Sequence, residues 1–357
     1  MTQHARFTNR SKSGMASLLD EVARVKSRVD DVILNQLLPS SSPLKEVDLL
    51  YRMMRDYPQR KGKGLRPFFC VTTCRALGGE ESESLLTAAC IELFQNWILI
   101  HDDIEDSSEL RRGEPTLHRK YDEGLAINAG DALHARMWGF LLRNRKPLGE
   151  ERTLRILEEF SRMVNETTEG QHMELVWVVE NKWKLNESDY LEMVSRKTSW
   201  YTVTSPCRLG AIVAGAGEEE LKKLLEFGTK LGMAFQIQDD ALNLVGDAEK
   251  YGKESSDDIL EGKRTLILLR LLEVAERGER EKVLKIMGKS RNRKTAEDIR
   301  YVISLMKKHG AIKYAQGKAA QLLGEALAVL GTVEWKGEKE SVELLTRVAR
   351  YSVERQW

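Results

Sequence analysis

Residues 94–113 read Phe-Gln-Asn-Trp-Ile-Leu-Ile-His-Asp-Asp-Ile-Glu-Asp-Ser-Ser-Glu-Leu-Arg-Arg-Gly. An apolar run from Trp97 to Ile100 stops abruptly at three carboxylates, Asp102, Asp103 and Asp106, and two arginines follow, Arg111 and Arg112. On a helix, Asp102 and Asp106 lie one turn apart on the same face, with Asp103 on the flank. Carboxylates this close repel one another unless a cation sits between them. An isolated acidic cluster is usually a solvated helix end. An apolar run leading straight into one indicates instead a carboxylate rim at the mouth of a buried pocket. Magnesium, a hard cation with oxygen ligands, fits that rim better than zinc, because no Cys or His cluster with zinc-ligand spacing accompanies it.

The pattern returns at residues 235–247, Phe-Gln-Ile-Gln-Asp-Asp-Ala-Leu-Asn-Leu-Val-Gly-Asp, where Asp239, Asp240 and Asn243 repeat the same spacing and Gln236 lies one turn earlier. Two such helix ends, far apart in sequence and each embedded in apolar residues, suggest a duplicated arrangement. Basic loops surround them. Pro58 to Pro67 contains Lys63 and Arg66, which can hold a phosphate by charge and paired N–H donors, although the stretch matches neither a Walker A loop nor a dinucleotide fingerprint. Residues 251–265 offer Lys253 and Lys263 for the same purpose. Gln171 and Glu174 lie three residues apart on one apolar helix, and Lys197, Thr198 and Tyr201 lie on another.

Composition narrows the class. With 56 basic and 55 acidic residues among 357, the net charge of +1 gives no global field for nucleic acid or an anionic membrane. The apolar stretches fall short of the roughly 20 residues needed to span a bilayer, and no signal-peptide pattern opens the chain, so a cytoplasmic protein without stable membrane insertion is expected. Cys70, Cys74, Cys90 and Cys207 form neither a disulfide framework nor a zinc site and read as reduced core residues. No proline follows Pro206, and apolar residues recur at helical spacing throughout, which predicts an all-α protein. Helices are expected over residues 15–38, 44–57, 67–77, 82–107, 126–143, 154–179 and 190–214. Residues 1–14 read as a flexible tail, and 15–357 as a single domain.

At this point the sequence resembles the trans-isoprenyl diphosphate synthases, specifically the short-chain group that makes farnesyl or geranylgeranyl diphosphate. Gly-Lys-Gly-Leu-Arg-Pro with Lys63 and Arg66, the first aspartate-rich motif from Asp102 to Arg112, and the second from Asp239 to Asn243 carry the likeness. Gln95, Lys197, Thr198, Gln236, Lys253 and Lys263 extend it, so that it covers residues 45 to 275. Two departures stand out: Asn243 replaces a third Asp, and Glu174 stands where an Asp is common. The resemblance implies the isoprenoid synthase fold, a single large helical bundle around a deep apolar cavity, with the acidic motifs facing each other across its mouth, and it implies a homodimer.

It further implies that magnesium is held by Asp102, Asp106 and Asp239, with Asp103 and Asp240 in support. Arg111, Lys197 and Lys253 would neutralise an allylic diphosphate. Lys63, Arg66, Gln95 and Arg112 would hold isopentenyl diphosphate without metal. The dipoles of Thr198, Gln236 and the Lys197 carbonyl would face the carbocation left by ionisation. A type I terpene cyclase shares the first acidic motif but needs a Ser and a Glu on its second acidic helix, which are missing here. A non-catalytic partner subunit of a heteromeric synthase is the alternative of another class, although only Asn243 is unusual in the acidic motifs.

Product length rests on Trp97, which lies roughly 7.5 Å deeper along the helix than Asp102 and carries the largest available ring. Ile98, one residue nearer, is smaller. A bulky aromatic five residues before the motif resembles archaeal-type geranylgeranyl synthases, so geranylgeranyl diphosphate is the expected product and farnesyl diphosphate the alternative. Phe94 is the next candidate for the floor.

Overall fold

The computed structural model describes residues 3–60, 62–245 and 257–354; Lys253 lies outside them. Up to the first acidic motif the chain forms α1 (Gln3–Asp31), α2 (Lys45–Gln59), α3 (Leu65–Ala76) and α4 (Glu81–Glu105). The first of these includes most of the stretch read from sequence as a tail, and it runs on through a π-wound turn at Val32–Leu37. From Thr87 to Phe94 every residue of α4 is buried, the pattern of a helix enclosed on all sides by a bundle.

Between the acidic motifs the chain adds one element outside the all-α expectation. Leu110–Arg111 (β1) and Glu114–Pro115 (β2) pair antiparallel around Arg112 and Gly113, whose φ values of 56° and 80° are those of a hairpin turn with two left-handed residues. Buried Arg60 pins this hairpin by donating to the carbonyls of Arg111 at 2.9 Å and Pro115 at 2.8 Å. Then follow α5 (Leu117–Lys120), α6 (Glu123–Leu141) and α7 (Arg145–Val179), the last broken at Gly149 with φ 81° and ψ 176°. The stretch expected as one helix over 190–214 is three pieces: α8 (Glu187–Val194), a π-wound segment Ser195–Thr204, and α9 (Ser205–Val213). A long α10 (Glu218–Val245) carries the second motif at its C-terminal end. The remainder comprises α11 (Asp257–Glu261), α12 (Leu266–Val274), α13 (Arg277–Met287), α14 (Ala296–Lys308), α15 (Ala311–Leu330) and α16 (Lys339–Glu354).

In the bundle α4 packs on α3 and α6, α3 on α9, and α10 on α15. The π-wound segment lies between α7 and α10, and glycines make that approach feasible. A Cβ on Gly170 of α7 would stand 2.2 Å from the Lys197 nitrogen, and one on Gly232 of α10 would stand 2.4 Å from Ser199 Cα. Backbone therefore touches backbone on both sides of the segment that carries Lys197 and Thr198. Gly170→Ala and Gly232→Ala are each expected to destabilise the fold by about 1–3 kcal/mol through overpacking. Chemical denaturation checks this; a midpoint unchanged in both variants would contradict the close-packed reading.

Candidate active site

Each acidic motif sends one carboxylate inward and keeps the others at the mouth. In the first motif Asp103 is fully buried. The Tyr57 hydroxyl, at the end of α2, donates to its Oδ2 at 2.5 Å and accepts from the Leu117 N–H at 3.2 Å. From the hairpin, Arg111 Nε donates to Asp103 Oδ1 at 2.8 Å and Oδ2 at 3.1 Å, while Nη2 reaches Asp102 Oδ2 at 3.3 Å. The second motif repeats this. Asp240 is buried, accepting from the Tyr190 hydroxyl of α8 at 2.7 Å and from Gln236 Nε2 at 2.7 Å. Burial, with the neighbouring Asp103 and Asp240 charges, pushes both phenols well above their ordinary pKa, so each stays a donor. Nothing near Tyr57 or Tyr190 in sequence announces these roles.

The outer carboxylates meet lysines. Asp102 accepts from Gln171 Nε2 at 3.4 Å and stands 3.8 Å from Lys197 Nζ, which also bonds Glu174. Asp106 accepts from Lys263 Nζ at 3.1 Å, and the same ammonium lies 2.6 Å from Glu261 and 3.9 Å from Asp258. Burial pushes the Asp106 carboxyl up, against Lys263 and with help from Asp102. Burial alone would raise Glu174 too, yet Lys197 and then Lys263 hold it below the ordinary range. Asp239 sits half-buried beside Asp240, and Asn243 Oδ1 faces the Asp258 N–H at 3.4 Å. A small cavity lined by Glu174, Lys197, Thr198, Gln236, Asp240 and Lys263 joins the two halves. Thr198 donates to Gln236 Oε1 at 2.9 Å, which leaves the hydroxyl lone pairs turned away from that bond.

The expected isopentenyl subsite assembles from α3 and α4. With its amide oriented to suit both neighbours, Gln95 accepts from Arg66 Nη1 at 2.9 Å and donates to Glu92 Oε1 at 3.0 Å. Arg66 also donates to Thr202 Oγ1 at 3.0 Å and lies 4.3 Å from the Tyr201 ring. Buried Glu92, absent from the sequence reading, thus orients the group that orients Arg66. Lys63 is exposed, and Arg112 donates to the Tyr57 carbonyl at 3.1 Å beside Gly62. Deeper in, Trp97 stacks on His134 of α6 at 4.1 Å and meets Phe94 edge-on at 5.5 Å. Fully buried Phe94 in turn faces Tyr201 at 5.9 Å, and Ile98 is half-buried on the core.

Oxygen donors at the rim suit a hard cation. Among the described residues no three acidic, His or Cys groups converge closely enough to hold an ion unaided. Magnesium commonly binds through one or two carboxylates plus substrate phosphate oxygens, and Asp102, Asp106 and Asp239 fit that mode.

Compared with known proteins, residues 47–306 match the polyprenyl synthetase family. The chain is 32% identical over 344 residues to a geranylgeranyl diphosphate synthase of Methanosarcina mazei, covering 96% of this chain and 99% of that protein. It is 35% identical over 297 residues to a geranylfarnesyl diphosphate synthase of Aeropyrum pernix, covering 82% of this chain and 90% of that protein. It is similar, with a TM-score of 0.85 and 27% identity, to the structure of a geranylgeranyl pyrophosphate synthase of Corynebacterium glutamicum complexed with isoprenyl diphosphate and magnesium, over 95% of this chain and 99% of that one.

The inner and outer carboxylates should respond differently to removal. Asp102→Ala and Asp239→Ala are expected to abolish turnover while circular dichroism and melting stay near wild type. Asp103→Ala strands a buried guanidinium and is expected to cost about 3–5 kcal/mol of stability. Equal melting temperatures for Asp102→Ala and Asp103→Ala would contradict the division.

Proposed function

Because the chain belongs to the polyprenyl synthetase family, as a magnesium-dependent short-chain trans-isoprenyl diphosphate synthase of isoprenoid synthase fold that condenses isopentenyl diphosphate with allylic diphosphates, we propose geranylgeranyl diphosphate as its product. The observation that carries the site assignment is the split of each motif into a buried inner carboxylate clamped by a phenol and outer ones at the rim, where Asp102 and Asp106 meet lysines. In this reading Asp102, Asp106 and Asp239 hold magnesium together with the allylic diphosphate, and Asp103 and Asp240 support them from inside. Magnesium bound there supplies the Lewis acid that draws charge from the leaving diphosphate. Lys197 and Lys263, now among carboxylates, turn to diphosphate oxygens with Lys253, while Arg111 keeps Asp102 and Asp103 in place. Lys63, Arg66, Gln95 and Arg112 hold isopentenyl diphosphate by charge-assisted hydrogen bonds. Gln236, oriented by its bond to Asp240, and Thr198, which donates to Gln236, present oxygen dipoles to the carbocation. The isopentenyl double bond attacks it, and the departed diphosphate takes the proton.

Trp97 and Phe94 form the floor on which product length depends, and their contact with His134 and Tyr201 supports a fixed depth. The names of the relatives span more than one chain length, so the product is the point to measure. Trp97→Ala should lengthen the product by at least one isoprene unit, with Phe94→Ala the next variant. Chromatography of the reaction of the purified chain, magnesium, isopentenyl diphosphate and each allylic primer checks this; an unchanged distribution in both folded, active variants would place the floor elsewhere. A farnesyl product from the unaltered chain would favour the shorter alternative. No turnover until a second chain is added would favour the partner-subunit reading. Exposed Leu125 and Ile127 on α6, with Leu142 just past its end, support a homodimer, for which light scattering should give twice the chain mass.

The two diphosphate subsites should separate in kinetics. Lys63→Ala is expected to raise KM for isopentenyl diphosphate and Lys197→Ala to act on the allylic substrate. Each loses about 1.5–3 kcal/mol of charge-assisted bonding, roughly tenfold to hundredfold. Equal effects of both variants on both substrates would overturn the assignment.

A further inference from the structure

Outside the acidic rim the mouth opens into a cleft of about 490 Å³, within the roughly 300–1,000 Å³ of small-molecule sites. Glu105, Asp106 and Glu174 form its metal-facing side. Five cations line the same cleft, Lys263, Arg264, Lys289, Arg291 and Lys294. Three of these are matched by carboxylates: Lys263 as described, Lys289 by Asp298 at 2.6 Å, and Arg291 by Asp257 at 2.8 Å and Glu261 at 3.3 Å. The other two, only 2% and 9% exposed, are Arg264 and Lys294, and neither forms an ion pair among the described residues.

Their hydrogen bonds go to neutral oxygens. Lys294 Nζ donates to the Leu260 carbonyl at 2.8 Å. Arg264 donates to the Lys182 carbonyl at 3.3 Å, to Asn181 Oδ1 at 3.2 Å and to the Gly262 carbonyl, and lies 4.1 Å from the Trp183 ring. Such bonds satisfy N–H groups but leave the formal charges uncancelled. Burial accordingly pushes Arg264 down to about 10, and burial with Arg264 and Arg291 pushes Lys294 down to about 8. The two cations are neighbours, since a Cβ on Gly262 would stand 3.4 Å from Arg264 Nη1 and 3.5 Å from Lys294 Nζ. Leu175, Val178, Val179, Leu260 and Met287 are the apolar side chains of the cleft, Val179 being 83% exposed, and Glu261, paired with Lys263 and Arg291, lines it too.

Buried positive charge without a counter-ion, beside an apolar wall, suits an anion that carries a hydrocarbon chain. We infer that this cleft is an additional diphosphate site, which holds the headgroup of a second prenyl diphosphate on Arg264 and Lys294 and its chain along Val178 and Val179. The inference rests on the prenyl synthase reading, which supplies such an amphiphile at this mouth. A molecule held there lies beside Lys263, the cation that also contacts Asp106, so occupancy slows turnover at high allylic diphosphate.

Calorimetric titration of the full chain in EDTA, with isopentenyl diphosphate saturating its own metal-free subsite, tests this with two probes, farnesyl diphosphate and inorganic pyrophosphate. The wild type should take up one equivalent of farnesyl diphosphate and bind pyrophosphate at least about tenfold more weakly. Lys294→Met should weaken farnesyl diphosphate by on the order of tenfold or more, and Lys294→Arg should restore it. With magnesium, Lys294→Met should keep wild-type turnover at low substrate and lose the inhibition at high farnesyl diphosphate. No uptake by the wild type, or undiminished uptake by Lys294→Met, overturns the site; equal affinity for pyrophosphate overturns the role of the apolar wall. Should Lys294→Met melt early, Lys294→Gln, which can still donate to the Leu260 carbonyl but carries no charge, must weaken binding or the inference fails. Wild-type turnover is read separately, so a failure of the prenyl synthase reading is distinguishable from a failure of this site.

Discussion

Asp102, Asp103, Glu105, Asp106, Glu174, Asp239 and Asp240 gather at one mouth, where like charges in partly buried surroundings repel strongly and each ion has lost part of its hydration. Nearly every other feature of the site answers that repulsion. Arg111 is delivered by a hairpin whose turn is held from below by Arg60. Lys197 comes from the segment squeezed between α7 and α10, and Lys263 from the end of α11. Lys197 and Lys263, which offset the acids here, are the ones proposed to turn to a diphosphate, whereas Arg111 stays with Asp103.

The inner carboxylates solve a different part of the problem. Once Tyr57 and Arg111 hold Asp103, and Tyr190 and Gln236 hold Asp240, each helix end has a fixed rotation about its axis. In the proposed reaction the neighbouring Asp102 and Asp239 would then need little reordering when ligand arrives, which is the advantage of preorganised groups in catalysis. Both clamps use a phenol. Its hydroxyl donates to a buried carboxylate without adding another charge to a crowded site.

Much of this was legible in the chain. The paired spacings of Asp102 to Asp106 and Asp239 to Asn243, the apolar runs before them and the basic loop at Lys63 and Arg66 predicted the helices and the phosphate chemistry, because helical periodicity maps directly onto faces. Rotation within a motif was not legible: adjacent aspartates differ by roughly 100° around the axis, and only the folded position of Tyr57, 46 residues away from Asp103, decides which turns inward. Arg111 read as a diphosphate ligand for the same reason, since its distance from Asp103 depends on a two-residue turn. The ring of Trp97 turns toward His134, a partner that no local pattern names. Nor does a period of 3.6 residues disclose a π-wound stretch, so residues 190–214 read as one uninterrupted helix.

That stretch ties the spacing of the chain to the orientation of the site. The segment Ser195–Thr204 completes its turns with more residues than an α-helix does, and it joins α8, which holds Tyr190, to α9, which is anchored in the core through Arg208 and Glu159. Shortening it by one residue with its wide winding kept would turn α8 relative to α9 by roughly 80°. The Tyr190 hydroxyl would leave Asp240, and Lys197 would leave Glu174, although every side chain in both motifs remained. Along this part of the chain, the number of residues sets where the site's groups point, alongside what those residues are.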